Sequence, residues 1–169
     1  MSETTVNAYA MLAQGKKYLA NKRYDDAART LRRYLALPTA LWKDDRCACM
    51  RALADCYTRV GNRAEAERWH LRSCAESPQT VSAWANAARF YADECAWDMV
   101  CTFALRAVTQ LERANSAQDS TLPYALLALG LCRNGRTDEA RTILRSACTR
   151  HPENAELQKS LRLLCAVKP

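Results

Sequence analysis

A chain of 169 residues, 49% hydrophobic and 25% charged, holds enough apolar material for one elongated domain with its own core and the charge fraction of an ordinary soluble protein. A membrane span is excluded, because no stretch approaches about 18 uninterrupted apolar residues, and the polar opening MSETTVNAYAMLAQGKK lacks the basic region and apolar run of a secretory leader, so a cytoplasmic location is expected. The net charge of +7 is spread along the chain without a Lys/Arg block or aromatic-basic interleaving, which gives no support to nucleic-acid binding and favours acidic partners through encounter rate.

The first predicted helix pair runs from Val6 to Ala20 and from Tyr24 to Leu37 (unit 6–38), with Asn21 supplying the turn and Pro38-Thr39 ending the unit. The second covers 42–78. Trp42-Lys43-Asp44-Asp45-Arg46 forms its extra first turn, with the acidic pair complementing the helix dipole, and Gly61-Asn62 turns between its helices. The third covers 80–113 and follows in register, since Ala66 and Val100 are 34 residues apart. Residues 114–121 then read as a polar loop that accounts for the 40-residue step from Val100 to Ala140. Pro123 suits the first turn of the next helix, where its missing N–H costs nothing. The fourth pair covers 121–152, turning at Asn134-Gly135. After Asn154, an expected N-cap, Leu157, Leu161 and Leu164 share one face of a capping helix over 154–165. No equivalent cap precedes the first pair, so its open apolar end is a candidate self-association surface.

The residues that recur at matching places carry a family resemblance. Met50, Leu53, Ala54 and Tyr57 keep a W-x₂-L-G-x₂-Y spacing, Ala66 and His70 an A-x₃-F spacing, and Pro78 closes the unit. Gly15 with Tyr18, then Trp84, Ala87, Ala88 and Tyr91, then Tyr124, Leu127, Ala128 and Leu131 repeat the first phrase. This resembles the tetratricopeptide repeat, and the resemblance implies an all-α, right-handed solenoid of four helix-turn-helix pairs plus the cap, spanning 1–169 as one domain. The stretch from Trp42 through Leu53-Ala54-Asp55-Cys56-Tyr57, Ala64-Glu65-Ala66-Glu67-Arg68-Trp69 and Ala75-Glu76-Ser77-Pro78 to Trp84, Phe90-Tyr91 and Trp97 is similar to the repeats attached to bacterial family 2 glycosyltransferases. That similarity implies an accessory module beside a sugar-transfer domain, with no catalysis of its own.

The nine cysteines are expected to be reduced, since no secretion signal accompanies them. Cys47 and Cys49 would point about 200° apart on a helix, and His70 and His151 are isolated, so the ligand spacing of a zinc site is missing. Cys74 and Cys148 occupy a slot that is apolar in every pair and should serve as small core residues, with Cys56 doing likewise. Cys95 takes the turn position held by Gly61 and Gly135 and should be exposed. Its neighbours Asp93 and Glu94 are anionic and cannot activate it. His70 is expected in the core or half-buried, and the adjacent acidic pairs Asp25-Asp26 and Asp44-Asp45 read as helix-start charge. No catalytic residue, metal or cofactor is predicted.

The resemblance places function on a concave groove lined by the first helix of each pair: Tyr9, Leu12 and Lys16; Arg51, Asp55 and Arg59; Asn86, Arg89 and Asp93; Leu122, Leu126, Leu129 and Arg133. The middle of this set is charged and the last part apolar, which suits an acidic peptide or protein segment with an apolar anchor. Arg51–Asp55 and Arg89–Asp93, each at i, i+4, could equally satisfy one another. A lysine-asparagine clamp for chaperone tails would fall on Leu12, Lys16, Ala52, Ser82 and Asn86. Only Lys16 and Asn86 are suitably polar, so such tails are not expected. The predicted function is a non-enzymatic interaction scaffold. The alternatives are the glycosyltransferase accessory module and a secretion-type chaperone built from the same repeats.

Overall fold

The computed structural model describes residues 3–37, 43–114 and 121–166. Among them are nine helices and no strand: α1 (Glu3–Ala20), α2 (Tyr24–Leu35), α3 (Lys43–Arg59), α4 (Arg63–Glu76), α5 (Val81–Asp93), α6 (Trp97–Ala114), α7 (Leu122–Arg133), α8 (Thr137–Arg150) and α9 (Ala155–Ala166). Pro38, Thr39 and Trp42, together with residues 115–120 of the predicted loop, lie outside the described residues. The chain forms two compact units, Met1–Pro78 and Gln79–Pro169.

The four turns inside the pairs are built alike. Each holds one residue in the left-handed region: Lys22 (φ 59°), Gly61 (φ 76°), Cys95 (φ 56°) and Gly135 (φ 74°). In each, the next N–H reaches back to the carbonyl of Tyr18, Tyr57, Tyr91 or Leu131, and the turn residue's own N–H bonds Leu19, Thr58, Ala92 or Cys132. This is the Schellman closure of a helix C-terminus. The recurrent aromatic position therefore marks the carbonyl that closes the turn. In the first pair Asn21 lies in the turn, as the sequence suggested, and the left-handed residue is its neighbour Lys22. Asn62 acts as an N-cap, its Oδ1 accepting the Glu65 N–H at 3.2 Å, and Asn154 does the same for the Leu157 N–H at 3.2 Å.

In the first unit α1 packs on α2 and α3, α2 on α3, and α3 on α4. Gly15 permits the closest approach: a Cβ there would lie 2.6 Å from Leu31 Cδ2. Leu31, Tyr34, Met50, Leu53 and Ala54 fill the core, and Cys49, Cys56 and Cys74 are buried with them. Cys49 donates to the Leu31 carbonyl at 3.5 Å, and Cys47 lies 2.5 Å from Ser77 Oγ. His70 is also buried, as its aromatic slot predicts. Glu76, at the end of α4, accepts from Arg72 Nε at 2.9 Å and from Arg46 Nε of α3 at 3.2 Å. Burial pushes its carboxyl up, but the two guanidinium groups outweigh that and hold it below the usual carboxylate range.

In the second unit α5 packs on α6 and α7, α6 on α7, α7 on α8, and α9 on α8 and α7. An aromatic cluster joins the first two helices: Tyr91 stacks on Phe103 at 5.1 Å, Trp84 meets Phe103 at 5.8 Å and Phe90 meets Tyr91 at 5.2 Å. Ala140, Leu144, Ala147 and Leu157 occupy the core, while Leu161 and Leu164 are half-buried. Cys148 differs from the sequence expectation. It is half-buried, whereas Cys74 in the same slot of the second pair is buried. Pro123 sits in the first turn of α7, as expected.

Candidate partner-binding surfaces

Every predicted groove residue falls on a first helix, and within each unit the first helices are neighbours. In the first unit α1 touches α3. This places Lys16, exposed on α1, on a helix adjacent to the one bearing Arg51, Asp55 and Arg59. Arg51 and Asp55 are half-buried, Arg59 is exposed, and Leu12 is buried in the core.

In the second unit α5 touches α7, and α7 touches α9. Asn86, half-buried, and Arg89 and Asp93, both exposed, lie on α5. On α7 Leu122 and Leu129 are each 39% exposed, whereas Leu126 is only 7% exposed. Leu126 is thus a core residue, not part of the open surface the sequence assigned to it. On α7 the positions 122, 126 and 129 span two helical turns, and a small drift of the helix face is enough to turn the middle one inward. Arg133 closes this helix, its guanidinium 5.4 Å above the Trp97 ring, a cation–π contact that holds the side chain over the start of α6.

Leu129 opens into a feature the sequence did not reveal. An open cleft of about 330 Å³ lies between α7 and α9, lined by Ala125, Leu129 and Cys132 on α7, Leu144 on α8, and Leu163 and Leu164 on α9. Leu163 is 62% exposed, the highest among the large apolar side chains of the described residues. Burial pushes the Cys132 thiol up, so at neutral pH it presents an uncharged wall to the cleft. The capping helix covers the last pair only in part: Leu157 is buried and Leu163 is left facing out. The pattern that selected Leu157, Leu161 and Leu164 passed over Leu163 because it lies off that stripe.

A second cleft, in the first unit, is basic. It encloses about 620 Å³ between α2 and the end of α3, lined by Asp25, Ala28, Arg29, Arg32, Arg33 and Tyr57. Arg32 Nη1 donates to Tyr57 Oη at 3.4 Å. None of these residues belongs to the predicted groove: all but Tyr57 lie on α2, the second helix of its pair.

The nine cysteines are all free thiols. Cys95 is exposed, as its turn position predicts. Burial pushes the Cys49 thiol up to about 12 and the Cys56 thiol up to about 11, so both are protonated and unreactive at neutral pH. No group of three or more His, Cys, Asp or Glu side chains is arranged to hold a metal ion among the described residues. No helix among them is long and apolar enough to cross a membrane.

Comparison with known proteins supports the repeats read from the sequence. Tetratricopeptide repeat profiles match residues 48–82 and 122–163. No curated protein sequence matches. Among solved structures, a crystal structure of MamA superposes with a TM-score of 0.71 at 17% identity, covering 89% of this chain and 81% of that one. A MamA RS-1 double mutant gives 0.69 at 12% identity, covering 97% and 84%. The repeats of a Podosopora anserina protein described as a kinesin light chain give 0.66 at 15% identity, covering 98% of each chain. At such identities the likeness establishes the fold. The chain therefore carries tetratricopeptide repeats, matched directly over 48–82 and 122–163, on an all-α repeat architecture.

Proposed function

We propose that the protein is a non-enzymatic interaction module and that the α5–α7–α9 face of its second unit takes a segment of a protein partner. The observation that carries this reading is the apolar cleft lined by Leu129 and the exposed Leu163, with Leu122 also exposed on α7. Exposed leucines grouped around a concavity are a cost to solubility unless something covers them. Exposed cations stand on the same helices, Arg89 on α5, which packs on α7, and Lys159 and Arg162 on α9. Together they suit a helical or extended segment that buries one or two apolar side chains and carries acidic residues beside them. In the first unit Lys16, Arg51 and Arg59 on α1 and α3 would offer a further basic face to an acidic partner.

The test is affinity capture from the native cells with the wild type and a Leu129→Asp, Leu163→Asp double variant. Both side chains are solvent-facing, so circular dichroism should be unchanged. A partner held by the wild type and lost by the variant is expected. Retention of the same partner by the variant would remove the cleft from the account. Arg51→Glu and Arg89→Glu, made separately, then report whether each unit's basic residues contribute. The accessory role beside a family 2 glycosyltransferase, and the secretion-chaperone role, rest on sequence resemblance and chain size alone. Capture of a sugar-transfer enzyme by both wild type and variant would favour the former.

A further inference from the structure

We infer that the basic cleft of the first unit is a second, separate binding site that takes an acidic protein segment through Arg29, Arg32, Arg33 and Tyr57. Three features of the cleft support this. Arg29, Arg32 and Arg33 stand at i, i+3 and i+4 on α2, so their side chains rise from neighbouring positions on one helix face. All three line the same concavity. Tyr57 Oη already accepts from Arg32, which leaves the phenol O–H free to donate into the cleft.

Several arginines elsewhere are held by carboxylates of the chain itself: Arg23 by Asp26, Arg46 and Arg72 by Glu76, Arg136 by Glu139. In the cleft Arg29 shares Asp26 at 3.5 Å, but among the described residues Arg32 and Arg33 have no carboxylate partner. Planar guanidinium forks that hold no carboxylate are matched to the oxygens of one. Asp25, on the same wall, argues for a peptide over a bare anion: its carboxylate would repel inorganic phosphate but can accept a backbone N–H. The volume, about 620 Å³, accommodates several residues.

Fluorescence anisotropy with a labelled glutamate-rich peptide tests the site in the full chain. Its glutamine counterpart and a single-stranded oligonucleotide of equal charge serve as controls. The expected result is binding of the acidic peptide alone. An Arg29→Gln, Arg32→Gln, Arg33→Gln variant should bind it about tenfold or more weakly, and Tyr57→Phe should weaken it to a smaller degree. A variant with the same charge loss elsewhere, Arg106→Gln, Arg113→Gln, Arg145→Gln, all exposed on α6 and α8, should keep wild-type affinity. Absence of peptide binding would overturn the inference. Equal weakening in the two triple variants would also overturn it, because the attraction would then be the diffuse field of the whole chain. Equal or tighter binding of the oligonucleotide would overturn it in favour of a general polyanion site. Leu129→Asp, Leu163→Asp should leave this binding unchanged, which separates it from the partner face of the second unit.

Discussion

The two units are made of the same repeat and solve its packing differently. The first buries its cysteines: Cys47, Cys49, Cys56 and Cys74 all lie in the interior. The second buries none of its five: Cys95 and Cys165 are exposed, and Cys101, Cys132 and Cys148 are half-buried. The first ties α3 to α4 with the Arg46–Glu76–Arg72 bridge, while the second locks α5 to α6 with stacked rings. Their surfaces diverge as well, with a basic cleft in one and an apolar cleft in the other. A shared backbone plan thus leaves the surface free to vary, and any function of such a module resides in what each unit displays.

The largest test of this contrast is to damage each core separately. Leu53→Ala in the first unit and Leu144→Ala in the second delete side chains that are almost wholly buried. Each should cost about 2–5 kcal/mol. Hydrogen exchange should show the loss of protection concentrated in the unit that carries the substitution. Equal loss across both would mean that they unfold as one body.

Alkaline pH should strike the first unit harder. The Cys49 thiol is raised from an ordinary value of 9.0 to about 12 by burial, so the folded state holds its proton where the unfolded chain releases it. The stability this contributes is intact below pH 9 and is lost as pH rises through the window up to about 12, at about 1.4 kcal/mol per unit. Thermal melts between pH 8 and 11 should therefore fall steeply in the wild type and less steeply in Cys49→Ala. In the native protein at pH 8, a thiol reagent should modify Cys95 and Cys165 first and spare all four cysteines of the first unit.

The turns give the smallest effect and the finest comparison. Cys95 and Lys22 adopt a left-handed conformation that Gly61 and Gly135 adopt without strain. Cys95→Gly should therefore stabilise the second unit by about 1 kcal/mol, and Gly135→Ala should destabilise it by a similar amount. Denaturant titration read by circular dichroism distinguishes the two signs.

Much of the fold was legible because the repeat restates itself. The turns at Gly61, Cys95 and Gly135 depend on backbone geometry fixed by local sequence, so matching positions placed them, and Asn154 could be read as an N-cap, whereas the cap made by Asn62 was read only as part of a turn. In the first pair Asn21 lies in the turn, but the left-handed position falls on Lys22. Asn21 carries the stronger turn propensity, yet the Schellman bonds fix the left-handed position by distance from Tyr18, and that position is Lys22.

The surfaces were less legible. Periodicity assigned a helix face but could not tell Leu126, which turns into the core, from Leu122 and Leu129 on either side of it. The apolar cleft depends on how far the capping helix stands from α7, a distance set by packing and absent from any spacing rule. The basic cleft was missed because attention to first helices excluded α2, although the run Arg29-Thr30-Leu31-Arg32-Arg33 was in plain view.

The most direct measurement is photo-crosslinking from a benzophenone side chain placed at position 129, at 163 and, as a control, at Leu105, another exposed leucine that lies on α6. The account predicts that the captured partner crosslinks from 129 and 163 and not from 105. Crosslinking from 105 with equal yield, or none from 129, would contradict the assignment of the α7–α9 cleft as the partner-binding surface.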